Sequence, residues 1–586
     1  MRRTNNESYW NRVSAQRFSR RTALRSIGAG GAGAAALALV GCGDDDDDGT
    51  PAPAASAAVS AQASAAGSPA AATPKKGGTY IDDGAFSTTA TSNDPHTALN
   101  GGAQMWGYFQ DRMIVQDRLS IEPARGVLVE SWEQVDPSTL LLTVRKGVNF
   151  QPGITKGRAF TAEDVAFSLQ RITGKFDPSR KTLFQRAGTL QGMDNATATD
   201  ANHVKVTFSS PNALFVNGVA DYRNFPVAKE IVDADPNFQD PGSFRGTGAF
   251  IIKSFDNSSK HTVFEANPAY WQPGLPYLAG IDSLGFQDPA SATAAFVSKQ
   301  TSVTTASAPA AFDTIKKGRA DANIVSSESS TWGYIKFNQE RGALKDARVR
   351  KALFLVPTYA RALDTAFTTN NWIFSGPIPS CFPGAWTPDQ IRGMPGWNPD
   401  TKTKDLADAK ALLEAAGYPN GKGLTFGLLD WTAAGTDLVI ALKDEFDRAL
   451  PDMKLTIIRP TDSADFNRRL TGGDFDLVQY VSTPSGAALL EGNVHYHTGA
   501  SRNYSKLSDP DVDALIDKGL NEFNADTRKA IVGQLQQKIM DLSWVAGFYR
   551  SKGRTAVDPK VQGWETAPGP GVAFASQDAS SRLWFA

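Results

Sequence analysis

Apolar and polar positions alternate or run together in short stretches along much of the chain. Leu140 to Val144, Val204 to Phe208, Phe250 to Phe255, Leu424 to Leu429 and Phe475 to Val481 are apolar or period-two runs, which predict strands. Between them the period changes to that of a helix. Val165, Leu169 and Ile172 share one face behind Thr161-Ala162-Glu163-Asp164, a start resembling a capping box. Asp405 precedes Leu406, Ala409, Leu413 and Ala416, and Gly417 is placed to close that helix. Asp509 and Pro510 open a further helix with Val512, Leu515, Ile516 and Leu520 as its stripe. Strand and helix signals mix without long segregation and without a fixed repeat. The expectation is an α/β protein of several lobes, and 586 residues allow about three or more units.

The first 76 residues follow another pattern. Arg20 and Arg21 precede Ile27 to Val40, an uncharged run of small and apolar residues. At about 1.5 Å per residue that run is too short to span a bilayer but suits the core of a signal peptide. Leu39-Val40-Gly41-Cys42 then resembles a bacterial lipobox, with Cys42 as the lipid attachment site. The pair Arg20 and Arg21 resembles a twin-arginine export signal, although Ala23 stands where such signals prefer an aromatic residue. The reading is of an exported protein, in the periplasm or on the outer face of the cell membrane, held by lipid alone. Residues 43–76 read as a tether: Asp44 to Asp48 repel one another, and Thr50 to Pro74 is nearly all Ala, Ser and Pro.

Charge and cysteine content narrow the chemistry. Residues 1–42 hold seven Arg and one Glu, which leaves 53 basic and 60 acidic residues of the 60 and 61 in the whole chain. No dense Lys/Arg stripe follows the signal, so a nucleic-acid partner is not expected. The two cysteines are Cys42 and Cys381. With Cys42 lipidated, neither a disulfide nor a zinc-thiolate site can form within one chain, and Cys381 reads as a packed thiol. Of the five histidines, His495 and His497 flank Tyr496 and would share one face of a strand. With no third ligand nearby, neither metal nor cofactor is expected. Gly-x-Ser-x-Gly, His-Glu-x-x-His and phosphate-loop motifs are absent, so the chain does not read as an enzyme.

Several motifs in one order resemble the family 5 extracellular solute-binding proteins of ABC importers. They begin with Gly77-Gly78-Thr79, Asp94-Pro95-His96 and Leu128-Val129-Glu130-Ser131-Trp132. Val144-Arg145-Lys146-Gly147-Val148-Asn149-Phe150, Gly246-Thr247-Gly248-Ala249-Phe250 and Asn267-Pro268-Ala269-Tyr270-Trp271 follow. Asp346-Ala347-Arg348-Val349-Arg350, Gly376-Pro377-Ile378-Pro379, Ala415-Ala416-Gly417-Tyr418 and Gly473-Asp474-Phe475-Asp476-Leu477 complete the set. The resemblance implies a two-lobed periplasmic-binding-protein-like fold with an extra inserted domain and a ligand cleft between lobes. Lobe I would comprise 77–107, 245–335 and 545–586, the insert 108–244, and lobe II 336–544. It also implies a monomer that captures a small polar solute by hinge closure and delivers it to ABC permease subunits. Peptide is the favoured solute; an oligosaccharide or a metal chelate is the alternative, and a secreted hydrolase the remaining one.

Peptide-binding relatives carry a Trp and then an Asp after the strand that matches Phe475 to Val481. This chain instead reads Gln479-Tyr480-Val481-Ser482-Thr483-Pro484. After the run Leu424 to Leu428, where relatives can hold an arginine for a peptide carboxylate, it reads Leu429-Asp430-Trp431-Thr432. A zwitterion clamped at both ends would leave a charge buried and unpaired, which costs several kcal/mol, about 3–5. The candidate ligand contacts are therefore Asp430 for an amine, Trp431 and Tyr480 as flat apolar walls, and Ser482 and Thr483 at the strand end.

Overall fold

The strand Thr139–Val144 shows how the pattern becomes structure: its burial alternates along TLLLTV, with Leu140, Leu142 and Val144 turned inward. It joins Val129–Asp136, His203–Phe208 and Met193–Ala198 in a four-stranded antiparallel sheet. The helix Ala162–Ile172 covers this sheet. Asp164 reaches back to the Thr161 N–H at 2.9 Å, as the capping box requires. In the computed structural model, the residues described are 73–84, 93–98, 102–116, 123–184, 186–256, 258–286, 288–305, 309–367, 371–430, 436–484, 486–543, 545–564 and 580–586. Arg20, Arg21, Cys42 and most of the expected tether lie outside them, as does Trp431.

A second four-stranded sheet runs in the order Thr79–Asp82, Gly280–Ser283, His261–Ala266, Phe250–Asp256. Its side chains and those of the first sheet enter one hydrophobic core, which reaches from Tyr80 to Val303 and takes in Val557, Val561 and Leu583. The expected insert, 108–244, thus shares its core with the segments on either side of it. A separate core, from Trp332 to Tyr549, belongs to a second body. The third sheet, of seven strands, organises that body. Asn323–Phe337 and Leu477–Ser482 are antiparallel, and Thr425–Leu429 pairs parallel to both Leu477–Ser482 and Lys454–Ile458.

Two long strands link the bodies. Asn323–Phe337 and Val545–Val557 pair from Asn323↔Val557 to Lys336↔Val545, with irregular register between Glu328 and Trp332 and again between Gly333 and Ile335. At about 3.3 Å per residue each extends roughly 40–50 Å. One end of the ribbon is buried in the first core and the other in the second, so it has the connectivity a hinge needs. Glycine is required at 333: a Cβ there would lie 2.3 Å from the Tyr549 ring, which crosses the strand at that point.

Two sequence expectations change in detail. The helix with Leu406 and Leu413 spans Lys402–Ala415, so Asp405 lies inside it. Asp405 is buried and accepts from the Gly396 N–H at 2.8 Å, holding the preceding loop. The pair His495 and His497 does not lie on a strand. Ala488–Tyr496 is a helix whose nine residues are all buried, and His497 follows its end. Every residue of this helix is buried, polar ones among them, so no 3.6-residue apolar stripe marks it. No helix among the described residues is long and apolar enough to cross a membrane.

Candidate ligand-binding site

Where the two long strands pass between the bodies, a cavity of about 680 Å³ opens on the second body's side. Glu328 lines it from one strand, Arg550 and Lys552 from the other, and Trp372 and Phe374 from the short strand Trp372–Phe374 paired to Val545–Val557. Opposite them stands the short helix Pro388–Arg392. Pro388 begins it, and Thr387 and Gln390 form its capping box, so Arg392 falls at the helix end where a cation is favoured. Arg550, almost fully buried, donates to Ser380 Oγ at 3.2 Å and lies 3.6 Å from the Glu328 carboxylate. The Trp372 indole donates to Asp364 at 2.9 Å. Burial pushes the Cys381 thiol on the cavity wall up to about 11, so it is a neutral thiol near pH 7. A nucleophilic cysteine needs the opposite shift.

Near the cavity the bodies meet along a buried polar seam. Arg186 of the first body donates from Nε to Asp221 at 2.5 Å and from Nη2 to Glu491 of the second body at 2.9 Å. All three side chains are at most 1% exposed. Around them the Asn493 amide donates to Gly188 O at 2.7 Å, Asn217 to Gly486 O at 3.2 Å, and the Ala213 N–H to Leu520 O at 2.7 Å. Leu214 enters the second body's core. These contacts join residues some 270 to 310 positions apart and hold the two bodies together at this edge.

Beneath the seam His495 stands edge-on to Trp332. Its Nδ1 lies 3.3 Å from Tyr334 Oη and 3.4 Å from Lys336 Nζ, and its Nε2 is 3.4 Å from Ser482 Oγ. Burial, then the nearby Lys336, pushes its pKa down to about 3 despite Glu491. The Lys336 amine is held well below its ordinary value by burial and by the Arg502 charge, and it donates to Arg502 O at 2.8 Å. The seam and its floor are thus a filled, hydrogen-bonded structure. Among the described residues no group of three or more His, Cys, Asp or Glu could hold a metal ion.

The candidates read from the sequence fall around these two features. Asp430 ends the strand Thr425–Leu429 and is fully buried, and its carboxylate accepts from Thr436 N at 2.8 Å and Thr436 Oγ1 at 3.2 Å. It thereby holds Thr436, the N-cap residue of the helix Asp437–Ala449. Tyr480 is 1% exposed, stacked on Phe466 and edge-on to Tyr504, so its ring faces other rings in the core. Ser482 is buried at the seam, where it accepts from Arg502 at 3.2 Å, and Thr483 lies 3.2 Å from Thr331 across the strands. Arg186, Glu491, Arg392 and Arg550 were missed. The legible signal was a charged residue inside an apolar run, as with Glu491 in ALLEGNVHY and Arg550 in VAGFYRSK.

Two α/β bodies joined by a strand ribbon, with a cavity beside it, match the architecture expected of a solute-binding protein. The sequence model of the bacterial extracellular solute-binding proteins, family 5 Middle, matches residues 124–490. The chain belongs to this family. It is 25% identical over 474 residues to the periplasmic murein peptide-binding protein MppA of Escherichia coli K12, covering 76% of this chain and 82% of the relative. The fold is that of Haemophilus influenzae OppA, solved with the peptide RPPGFSPFR: TM-score 0.73, 18% identity, 87% of this chain and 99% of the other. It is also that of AgaA from A. tumefacien R10, solved with agropinic acid: TM-score 0.72, 21% identity, 87% and 99%. The protein is therefore an extracytoplasmic solute-binding protein.

Proposed function

We propose that this protein captures a peptide outside the cytoplasmic membrane and delivers it unaltered to the permease subunits of an ABC importer. The observation that carries this reading is the cavity of about 680 Å³ beside the ribbon that joins the two bodies. Its volume falls in the range of roughly 300–1,000 Å³ common to small-molecule sites. Its wall carries charges of both signs next to Trp372 and Phe374, a mixture that suits the ionic ends and apolar side chains of a short peptide. In this proposal Trp431 and the strand end at Ser482 and Thr483 also meet the ligand. Tyr480 backs that strand end from inside the core. The receptor acts as a monomer and uses no cofactor. Relatives named for binding peptides support the choice of solute.

The anchoring proposal rests on Arg20, Arg21 and Cys42: export through the paired arginines, then lipid on Cys42. Two or more acyl chains at about 0.8 kcal/mol per buried CH₂ would hold the protein stably at the membrane. C42S should move it from the membrane fraction to the soluble fraction. Retention of the variant at the membrane would remove the lipid from the account. Native mass spectrometry of the full protein purified from its host tests the ligand. The expected species is a complex with a peptide of a few residues, released intact on denaturation. A chemically transformed product would contradict the carrier role, and a non-peptide guest would contradict the choice of solute.

A further inference from the structure

Within the reading above, we infer that the captured solute bears an ionised carboxylate, seated in the cavity between Arg392 and Lys552, with an apolar portion against Trp372 and Phe374. The charges lining the cavity are unevenly committed. Of its two carboxylates, Asp364 accepts from the Trp372 indole and Glu328 lies toward Arg550 at 3.6 Å. Arg550 is also occupied, donating to Ser380. Arg392 and Lys552 take no side-chain hydrogen bond or ion pair among the described residues. Arg392 lies over the Phe374 ring at 5.6 Å, which leaves its planar donors free to turn into the cavity. Lys552 stands opposite Glu328 in the strand register, yet that carboxylate is turned to Arg550.

The uncommitted charge of the cavity is therefore positive, carried by a guanidinium and an ammonium above an apolar wall. A guanidinium presents parallel N–H donors that match the two oxygens of a carboxylate, and the ammonium adds a point charge. Cys381 contributes no opposing charge, since its thiol is neutral near pH 7. A solute without an anion would leave both cations without a partner when the cavity closes over it. A carboxylate supplies the missing acceptor. None of the candidates read from the sequence lies in this arrangement. The local sequence carries no sign of it, because Arg392 and Lys552 are 160 positions apart.

Calorimetry on the full chain with matched probes tests the inference. One pair is the tripeptide Ala-Phe-Ala and its C-terminal amide; the other is a neutral trisaccharide and its uronic-acid counterpart. The acid member of a pair should bind at least tenfold more tightly, and its advantage should shrink as salt is raised. R392Q and K552Q should each reduce that preference severalfold. K552Q should keep the parent melting temperature, because Lys552 has no side-chain partner among the described residues, and R392Q should stay close to it, losing only the contact with the Phe374 ring. Equal binding of acid and uncharged members, or a preference that survives both substitutions, overturns the carboxylate seat and leaves peptide capture standing. Failure of both tripeptides with preference for the uronate overturns peptide capture and supports the seat. Binding of neither pair overturns both.

Discussion

The polar seam joins the two bodies, the cavity lies on the second body's side of the ribbon, and they use charge in opposite ways. In the seam Arg186, Asp221 and Glu491 are fully buried, with Arg186 bonded to Asp221 in its own body and to Glu491 across the junction. In the cavity Arg392 and Lys552 are accessible and, among the described residues, carry no hydrogen bond or ion pair to another side chain. A buried charge is tolerated only with its partners in place, so the seam must be assembled whole. A charge left open to solvent costs little until something is bound to it. The contrast separates the groups that hold the bodies together from those available to hold a guest.

The strongest challenge to that contrast is to remove one partner from the seam. E491A should cost about 3–5 kcal/mol in urea unfolding, because it strips Arg186 of an acceptor in a buried site. Replacing the pair together, as in R186M/E491L, should recover much of the loss. A cost below about 1 kcal/mol for E491A would mean the seam is hydrated and the comparison mistaken.

Acid should find the filled regions next. His96 in the first body and His495 in the second are both buried, and burial first pushes them down to about 4 and about 3. Arg171 can only donate to His96 Nδ1, so His96 Nε2 carries the proton given to Phe225 O. Each native histidine refuses a proton that the unfolded chain accepts below its ordinary value near 6.5. Their contribution to pH dependence is therefore absent above about 6.5. Stability then falls as pH drops toward 4 for His96 and toward 3 for His495, by up to about 1.4 kcal/mol per pH unit for each. H96Q and H495Q should each flatten the acid limb of a stability-against-pH curve measured by denaturant titration. An unchanged limb in both would show these rings are not buried neutral.

A smaller effect belongs to the ribbon. G333A places a methyl against the Tyr549 ring and should cost roughly 1–3 kcal/mol by overpacking. G333A/Y549A should remove the clash, and a double-mutant cycle reports the coupling. The smallest change is expected at the cavity: R392Q should shift unfolding stability by less than about 0.5 kcal/mol. A larger loss would place Arg392 with the seam residues.

Much of the fold was legible because local rules were obeyed. Leu140 to Val144 alternates, Asp164 caps the helix after Thr161, and Asp509 accepts from Asp511 N and Val512 N just before Pro510 takes its place at the first helical position. The α/β class follows from such signals, and the two-body arrangement from the order of the family motifs. The site was less legible because its geometry is made by distant segments. Arg186 and Glu491 are 305 positions apart, and no period or spacing relates them. Tyr480 shows the reverse difficulty: an aromatic residue at a strand end looks the same in sequence whether it faces a cleft or, as here, Phe466 and Tyr504. His495 was assigned a strand because its helix is buried on every face, with polar residues among the apolar ones, and shows no 3.6-residue stripe.

Cys381 offers the most direct test that a guest occupies the cavity, since its thiol lies on the wall. The measurement is its rate of modification by N-ethylmaleimide at pH 8, followed by peptide mass mapping that distinguishes it from Cys42. The rate is taken with and without the solute recovered from the native protein. The account predicts that saturating solute slows modification of Cys381 at least tenfold and that R392Q removes the protection. Binding of the solute with no change in the Cys381 rate would place the guest elsewhere and contradict the account.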